Sequence, residues 1–164
     1  MLRVGIGFDA HRFAPERPLV LGGVKIRDHD GLQGHSDADV LTHAVIDALL
    51  GAAGMEDIGA LFPDTDSRYK DASSVQLLET VSRLLWRGGW SVVNVDAVVI
   101  CEEPKVAGHR AAMQERLARA LGVKSQQVMV KGTTTEGMGF PGRREGIAAQ
   151  AVALIRRFGG LQES

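Results

Sequence analysis

Asp9-Ala10-His11 sets a carboxylate and an imidazole two residues apart near the start of the chain. Residues i and i+2 of an extended strand share a face, so the two groups can converge on one point. Alone the pair says little, because a solvated strand end explains it more simply. Gly34-His35-Ser36-Asp37-Ala38-Asp39 then leads into a helical pattern that carries His43 and Asp47. Ser36 followed by Asp39 reads as a capping-box variant, which accounts for neither His35 nor His43. Asp39, His43 and Asp47 fall at i, i+4 and i+8 and form one stripe. A carboxylate one turn from a histidine is an arrangement that orients an imidazole for metal. From the helix alone, a satisfied surface histidine explains His43 equally well. Taken together, Asp9, His11 and His43 offer one carboxylate and two imidazoles. Three protein ligands with a vacant fourth position is the pattern of a catalytic zinc site. A closed thiolate site is excluded, because Cys101 is the only cysteine.

Two further segments are rich in polar groups. Glu56-Asp57-Ile58-Gly59 and Leu61-Phe62-Pro63-Asp64-Thr65-Asp66 concentrate carboxylates beside a proline. Asx-turns explain part of this, and recognition of sugar or polyol hydroxyls is the other reading. Lys131-Gly132-Thr133-Thr134-Thr135-Glu136 leads into Gly137-Met138-Gly139-Phe140-Pro141-Gly142-Arg143. Threonine hydroxyls and backbone N–H groups beside glycines can cradle phosphate, and Glu136 can hold a hydrated Mg²⁺ that takes phosphate oxygens. A polar strand end running into a glycine-rich turn is the plainer alternative. Neither P-loop nor dinucleotide-binding spacing is present, and no serine elbow or Cys–His pair is recognisable. The chemistry available is metal-assisted and electrostatic.

These groups need elements to position them. Three segments have helical periodicity: Asp39 to Ala53, Ser73 to Arg87 and His109 to Leu121, ending at Gly54, Gly88-Gly89 and Gly122. Leu2 to Ala10, Trp90 to Cys101 and Val128 to Lys131 read as strands, and Leu19 to Leu21 with Val24 to Ile26 flank a Gly22-Gly23 hairpin turn. Gly146 to Arg157 suits helix by its alanines, but Ile147, Ala149, Ala151, Ala153 and Ile155 also alternate; strand is the expectation, mainly on the resemblance given below. In the Trp90 strand, Val93, Val95, Ala97 and Val99 line one face, while Val92, Val98 and Ile100 dominate the other. Three helices cover one face of a four- or five-stranded sheet, so the second apolar face calls for another subunit.

At 164 residues the chain is one domain's worth, 1–164. Nineteen basic and 20 acidic side chains leave a net charge of -1, so no basic excess exists to bind nucleic acid or an anionic membrane. The longest stretch free of formal charge, Gly146 to Ile155, is about half of a bilayer span. The first residues lack signal or transit character, and a single thiol suits a reducing cytoplasm. Secreted, membrane and coiled-coil classes are excluded.

The set Gly7-Phe8-Asp9-Ala10-His11, His35-Ser36-Asp37-Ala38-Asp39, Asp57-Ile58-Gly59, Leu61 to Asp66, Pro104-Lys105, Thr133 to Glu136 and Gly142-Arg143 resembles the 2-C-methyl-D-erythritol 2,4-cyclodiphosphate synthase family. The match is collinear over about residues 2 to 157. The resemblance implies a homotrimer of two-layer α/β subunits, each with a mixed sheet, its helices on one face and the sheets packed around the threefold axis. It implies active sites at subunit interfaces in an enzyme of non-mevalonate isoprenoid synthesis. The substrate would be 4-diphosphocytidyl-2-C-methyl-D-erythritol 2-phosphate, and a phosphorus–oxygen lyase reaction would release the cyclic diphosphate and CMP.

Carried over by motif, Asp9, His11 and His43 become ligands of zinc or another divalent transition metal, and Glu136 contacts Mg²⁺ or Mn²⁺. His35 and Thr134 become transition-state stabilisers and Ser36 a phosphate contact, with Ala10 beside the metal ligands. Asp57, Ile58 and Gly59, with Phe62, Pro63, Asp64, Thr65 and Asp66, would hold the methylerythritol. Cys101, Pro104, Lys105, Val106 and Ala107 would line the cytidine pocket, with Thr133 and Thr135 near the phosphates. Phe140 and Arg143 match positions tied to substrate and to an axial cavity that would take an isoprenoid diphosphate. Gly132, Pro141, Arg144 and Cys101 depart from the usual residues, beside the site rather than on its ligands. Two other classes fit the same residues: a metal-dependent phosphohydrolase, and a non-catalytic trimer that binds an isoprenoid diphosphate.

Overall fold

A computed structural model describes residues 1–158; the end of the expected domain, 159–164, lies outside the described residues. A five-stranded mixed sheet carries the site. Its strands are β1 (Leu2–Ala14), β4 (Gly31–Leu32), β5 (Trp90–Ile100), β6 (Val128–Thr133) and β7 (Gly146–Arg157), in the order β4-β1-β7-β5-β6. Only β5 and β6 run parallel; β7 is antiparallel to both β1 and β5. β2 (Leu19–Leu21) and β3 (Val24–Arg27) form the separate hairpin expected at Gly22-Gly23. Three long helices, α1 (Val40–Ala53), α3 (Ser74–Arg87) and α4 (Arg110–Leu121), pack on one face of the sheet, and the short α2 (Ile58–Leu61) and α5 (Gly139–Gly142) lie in loops. The long helices end at the glycines that the sequence marks, with Gly54 and Gly122 in the left-handed region. Among the described residues no helix is long and apolar enough to cross a membrane.

The alternating reading of β7 holds. Ile147, Ala149, Ala151, Ala153 and Ile155 are all buried, facing α1, while the partners that sit across from them on β1 are His11, Asp9, Gly7, Gly5 and Arg3. The odd positions of β1 therefore put two glycines and both of its metal-ligand candidates on the helix side. Here the helix approaches unusually closely. A Cβ on Gly7 would lie 2.0 Å from Ala44 O, and one on Gly5 would lie 1.9 Å from Ala48 O. Ala44 and Ala48 provide the matching small surface on α1, so the helix backbone rests on the strand. That contact brings His43, beside Ala44, to the strand that bears Asp9 and His11. Gly7→Ala is expected to cost about 1–3 kcal/mol by overpacking and to lower activity further by displacing His43. A Tm within about 2 °C of the parent would refute it.

Two expectations are corrected. β1 does not end at Ala10 but continues to Ala14, because β7 pairs with it as far back as Gly146↔Arg12 and β4 pairs Leu32 with Phe13. Gly146 permits this, since a Cβ there would lie 2.2 Å from His11 O. Asp9 and His11 thus sit inside a paired strand rather than at a free end. In β5 a bulge between Val92 and Asn94 shifts the alternation, so Val92 pairs with buried Ile155 and joins the core face instead of keeping company with Val98 and Ile100.

The other face of the sheet is bare. Val4, Ile6 and Phe8 on β1 are 66%, 62% and 57% exposed, and Val152 on β7 and Met129 on β6 are exposed as well. Val4, Ile6, Phe8 and Val152 form an apolar surface without helices, and the Asp96–Lys131 ion pair stands between it and Met129.

Candidate functional site

Asp9, His11 and His43 come together. Asp9 Oδ2 lies 2.8 Å from His11 Nε2 and 3.0 Å from His43 Nδ1, and the two ring nitrogens are 3.4 Å apart. Strand pleat supplies two of the groups and α1 the third. Burial raises the Asp9 pKa, but hydrogen bonds and charge from both histidines outweigh it and hold the carboxyl at about 2. For His43, burial lowers the pKa, and Asp9, helped by the charges of Asp39 and Asp37, raises it overall.

The far side of His43 decides what the cluster can hold. Its Nε2 donates to Ser74 Oγ at 2.7 Å, with Ser36 Oγ 3.2 Å away. Ser74 Oγ in turn donates to Asp37 Oδ1, whose Oδ2 accepts from Ser74 N at 3.0 Å. With Nε2 as donor, a neutral His43 ring presents a lone pair at Nδ1 to the Asp9 carboxylate. Two acceptors at 3.0 Å repel unless a proton or a cation lies between them. The donor set, one carboxylate and two imidazoles with one tautomer fixed from behind, fits a divalent transition metal.

The expected orienting carboxylates are not the ones used. Asp39 is the N-cap of α1, buried, and accepts from Thr42 N, Thr42 Oγ1, Gly22 N and Gly23 N. It ties the β2–β3 hairpin to the helix. Ser36 does not form a capping box; its Oγ accepts from Ala38 N. Asp47 receives Ile58 N at 2.9 Å and so anchors α2; burial raises its pKa. Ser74 and Asp37 took these roles unseen, because nothing in a serine at a helix start says that its hydroxyl serves another helix. The one hint is that Asp37 has no place on the helical stripe. Ser74→Ala is expected to weaken metal binding by about 10–100-fold in a chelator competition titration, with activity near normal at saturating metal; an affinity within threefold of the parent would remove Ser74 from this role.

A pocket of about 220 Å³ opens at the cluster, lined by Asp9, His11 and His43 with Gly34, His35, Ser36, Asp47, Ile58, Gly59, Phe62, Asp64 and Tyr69 among others. His35 Nε2 donates to Asp66 O at 3.2 Å, which ties it to the carboxylate-rich loop. Of that loop, Ile58, Gly59, Phe62 and Asp64 face the pocket. Asp57 caps α2 through Ala60 N and Asp66 pairs with Arg68 at 2.6 Å, and neither they nor Pro63 and Thr65 line it. A second pocket of about 170 Å³ is lined by Cys101, Pro104, Lys105, Val106, Ala107, Arg110, Gly132, Thr133 and Thr134. Every residue expected around cytidine is there, and Arg110 is an addition. Burial pushes the Cys101 thiol up to about 11, and its Sγ donates to Pro104 O. Thr134 Oγ1 donates to Glu136 Oε1 at 3.2 Å, and Glu136 turns the chain with φ 53; Thr135 Oγ1 is tied to Met138 O. The two pockets share no residue. Phe140 lines a third hollow with Ala10, His11 and Arg12, and exposed Arg143 pairs with Glu145 at 3.4 Å.

Comparison with known proteins places the chain among one family and one fold. The YgbB family profile matches residues 2–156. A 2-C-methyl-D-erythritol 2,4-cyclodiphosphate synthase of Rubrobacter xylanophilus is 62% identical over 158 residues, covering 94% of this chain and 95% of its own. The synthase of Syntrophomonas wolfei is 56% identical over 156 residues, covering 95% and 99%. Among solved structures, the bifunctional IspDF of Campylobacter jejuni superposes with a TM-score of 0.93 at 42% identity over 96% of this chain, which spans 43% of that longer one. The IspF of Plasmodium falciparum in complex with CDP gives a TM-score of 0.84 at 32% identity, covering 96% and 97%.

Proposed function

The chain belongs to the YgbB family, whose relatives are the 2-C-methyl-D-erythritol 2,4-cyclodiphosphate synthases of isoprenoid biosynthesis, and from that premise we propose how its own residues carry the reaction. The carrying observation is the meeting of Asp9, His11 and His43 in a pocket that also presents His35, Ser36 and the loop around Asp64. The substrate's 2-phosphate oxygen forms a bond to its own β-phosphorus, the bond from that phosphorus to the bridging oxygen breaks, and CMP leaves with the electron pair. This is a phosphorus–oxygen lyase reaction. Asp9, His11 and His43 would hold a divalent ion, zinc by their nitrogen and oxygen donors, and Glu136 would hold Mg²⁺ or Mn²⁺; when bound, these would supply positive charge to the phosphate oxygens.

The protein's part is to hold and to orient. Ile58, Gly59 and Asp64, on a loop that Asp57 and Asp66 brace, receive the methylerythritol hydroxyls. Ser36 and His35 lie at the phosphates, and His35 is held there by its Nε2–H on Asp66 O. Thr134 hydroxyl releases Glu136 and donates to a phosphoryl oxygen. Residues 101–107 take the cytidine, in keeping with the CDP held by the Plasmodium falciparum relative. The attacking phosphate is already anionic, so no protein base is needed. Holding attacker and target in one bent molecule supplies on the order of 7–11 kcal/mol.

The bare sheet face and the separation of the two pockets support a homotrimer in which one protomer's metal pocket meets its neighbour's cytidine pocket. On that axis, Arg143 is the cation available to an isoprenoid diphosphate. The single buried thiol suits the cytoplasm. The test is to incubate purified protein with the cytidyl substrate and Mg²⁺: CMP and the cyclic diphosphate are expected, and a zinc-selective chelator is expected to abolish both. An acyclic product would make the protein a phosphohydrolase, and no turnover would overturn the reading.

A further inference from the structure

We propose that Arg17 is a positioning residue for this reaction: its guanidinium clasps the backbone carbonyls on both sides of His35 and so sets where His35 and Ser36 meet the phosphates. Nη1 donates to Gly34 O at 2.5 Å and Nη2 to Ser36 O. The inference rests on the roles given above to His35 and Ser36.

The segment 33–39 belongs to no helix or strand, so its peptide groups must find partners outside any ladder. On one side His35 O accepts from Asp71 N at 2.8 Å, and Asp37 N donates to Ala72 O at 3.1 Å. The carbonyls of Gly34 and Ser36, on either side of His35, go instead to Arg17, which takes both. A planar guanidinium, always charged and with donors in a fixed fork, can span two carbonyls, whereas a lysine ammonium is a point donor. Arg17 is itself rooted in the sheet. Its N donates to Ala14 O at 3.1 Å and its O accepts from Gly31 N at 2.8 Å, at the β1–β4 pairing. A rigid route therefore runs from the metal-bearing strand through a half-buried side chain to the loop that carries the catalytic imidazole. Arg17 does not line the metal pocket, so it acts from behind.

Losing the clasp leaves two carbonyls to water and frees the loop, and a misplacement of about 1 Å at a reacting group costs on the order of a hundredfold. Arg17→Ala is expected to lower kcat about 10–100-fold with KM within about threefold, at unchanged metal content. Hydrogen exchange at residues 34–37 should quicken, and millimolar free guanidinium should restore part of the rate. Arg17→Lys, which keeps charge and packing, should fall between the two and covers the case in which the alanine variant does not fold. Unchanged kcat and unchanged exchange in the lysine variant, or a loss in the alanine variant that follows metal content and ignores guanidinium, would overturn the proposal. His35→Ala, run alongside, separates the two claims. A fully active His35→Ala would refute the role of His35, while the exchange at 34–37 still reads the clasp directly.

Discussion

Asp9→Ala is expected to strip the metal and to lower kcat/KM by about a thousandfold or more, on the order of 4 kcal/mol of transition-state stabilisation, while the protein stays folded. Asp9 is the sole anion of the cluster, and its Oδ2 is the atom nearest to both ring nitrogens. With its carboxyl held at about 2 by the two histidines, it is ionised throughout the neutral range. Removing it leaves two imidazoles and no carboxylate, a site short of a ligand and of its negative charge. The backbone has little reason to fail, because Asp9 lies mid-strand, paired with Ala149. Asp9→Asn sharpens the result: it keeps the shape and one acceptor but not the charge, and should lose metal nearly as completely. Metal content by mass spectrometry and CMP release by chromatography are the two readouts. A variant that keeps its metal, or one within tenfold of parental activity, would show that the chemistry does not pass through this cluster.

Much of that site was legible because strand and helix periods are strong signals. The two-residue spacing of Asp9 and His11 put them on one face, and the i, i+4 apolar pattern placed α1. What periodicity does not convey is depth and reach across elements. It marked Asp39 and Asp47 as orienters for His43, since they share its helical stripe, but both carboxylates are bound by backbone N–H groups of other segments. The hydroxyl that holds His43 comes from Ser74, 31 residues away on another helix, and is visible only once α1 and α3 are packed. Gly5 and Gly7 carried a message that composition alone obscured. Their meaning is a helix that touches the strand backbone, which needs Ala44 and Ala48 opposite them. The β5 bulge was hidden for a related reason: one extra residue flips the alternation, and no residue type marks Val93 as extra. Arg17 reads as a charged turn residue until its two carbonyl partners are seen.

Mixing two inactive variants is expected to create active enzyme. If each active site joins the metal pocket of one protomer to the cytidine pocket of the next, then Asp9→Ala chains lack the first half and Thr134→Ala chains lack the second. Each variant alone gives trimers in which every site has one defective half. After subunit exchange from an equal mixture, a site is whole where a Thr134→Ala chain supplies the metal pocket and an Asp9→Ala chain supplies the threonine. Random assembly makes about one site in four of this kind, so activity should recover to roughly a quarter of the parental value, against a background of ~0.1% or less for Asp9→Ala alone. The expectation comes from geometry: the residues around His43 and those around Cys101 line pockets that share no member, although in the proposed reaction the substrate's phosphates would touch both sets. The exposed Val4, Ile6 and Phe8 supply the surface along which protomers would meet. Exchange is driven by mild denaturant followed by dilution, and mass spectrometry of the intact assemblies confirms that the chains have mixed. Mixed trimers without recovered activity would mean that both halves of a site come from one chain, which would force the two pockets to be bridged within a protomer and would remove the catalytic reason for assembly.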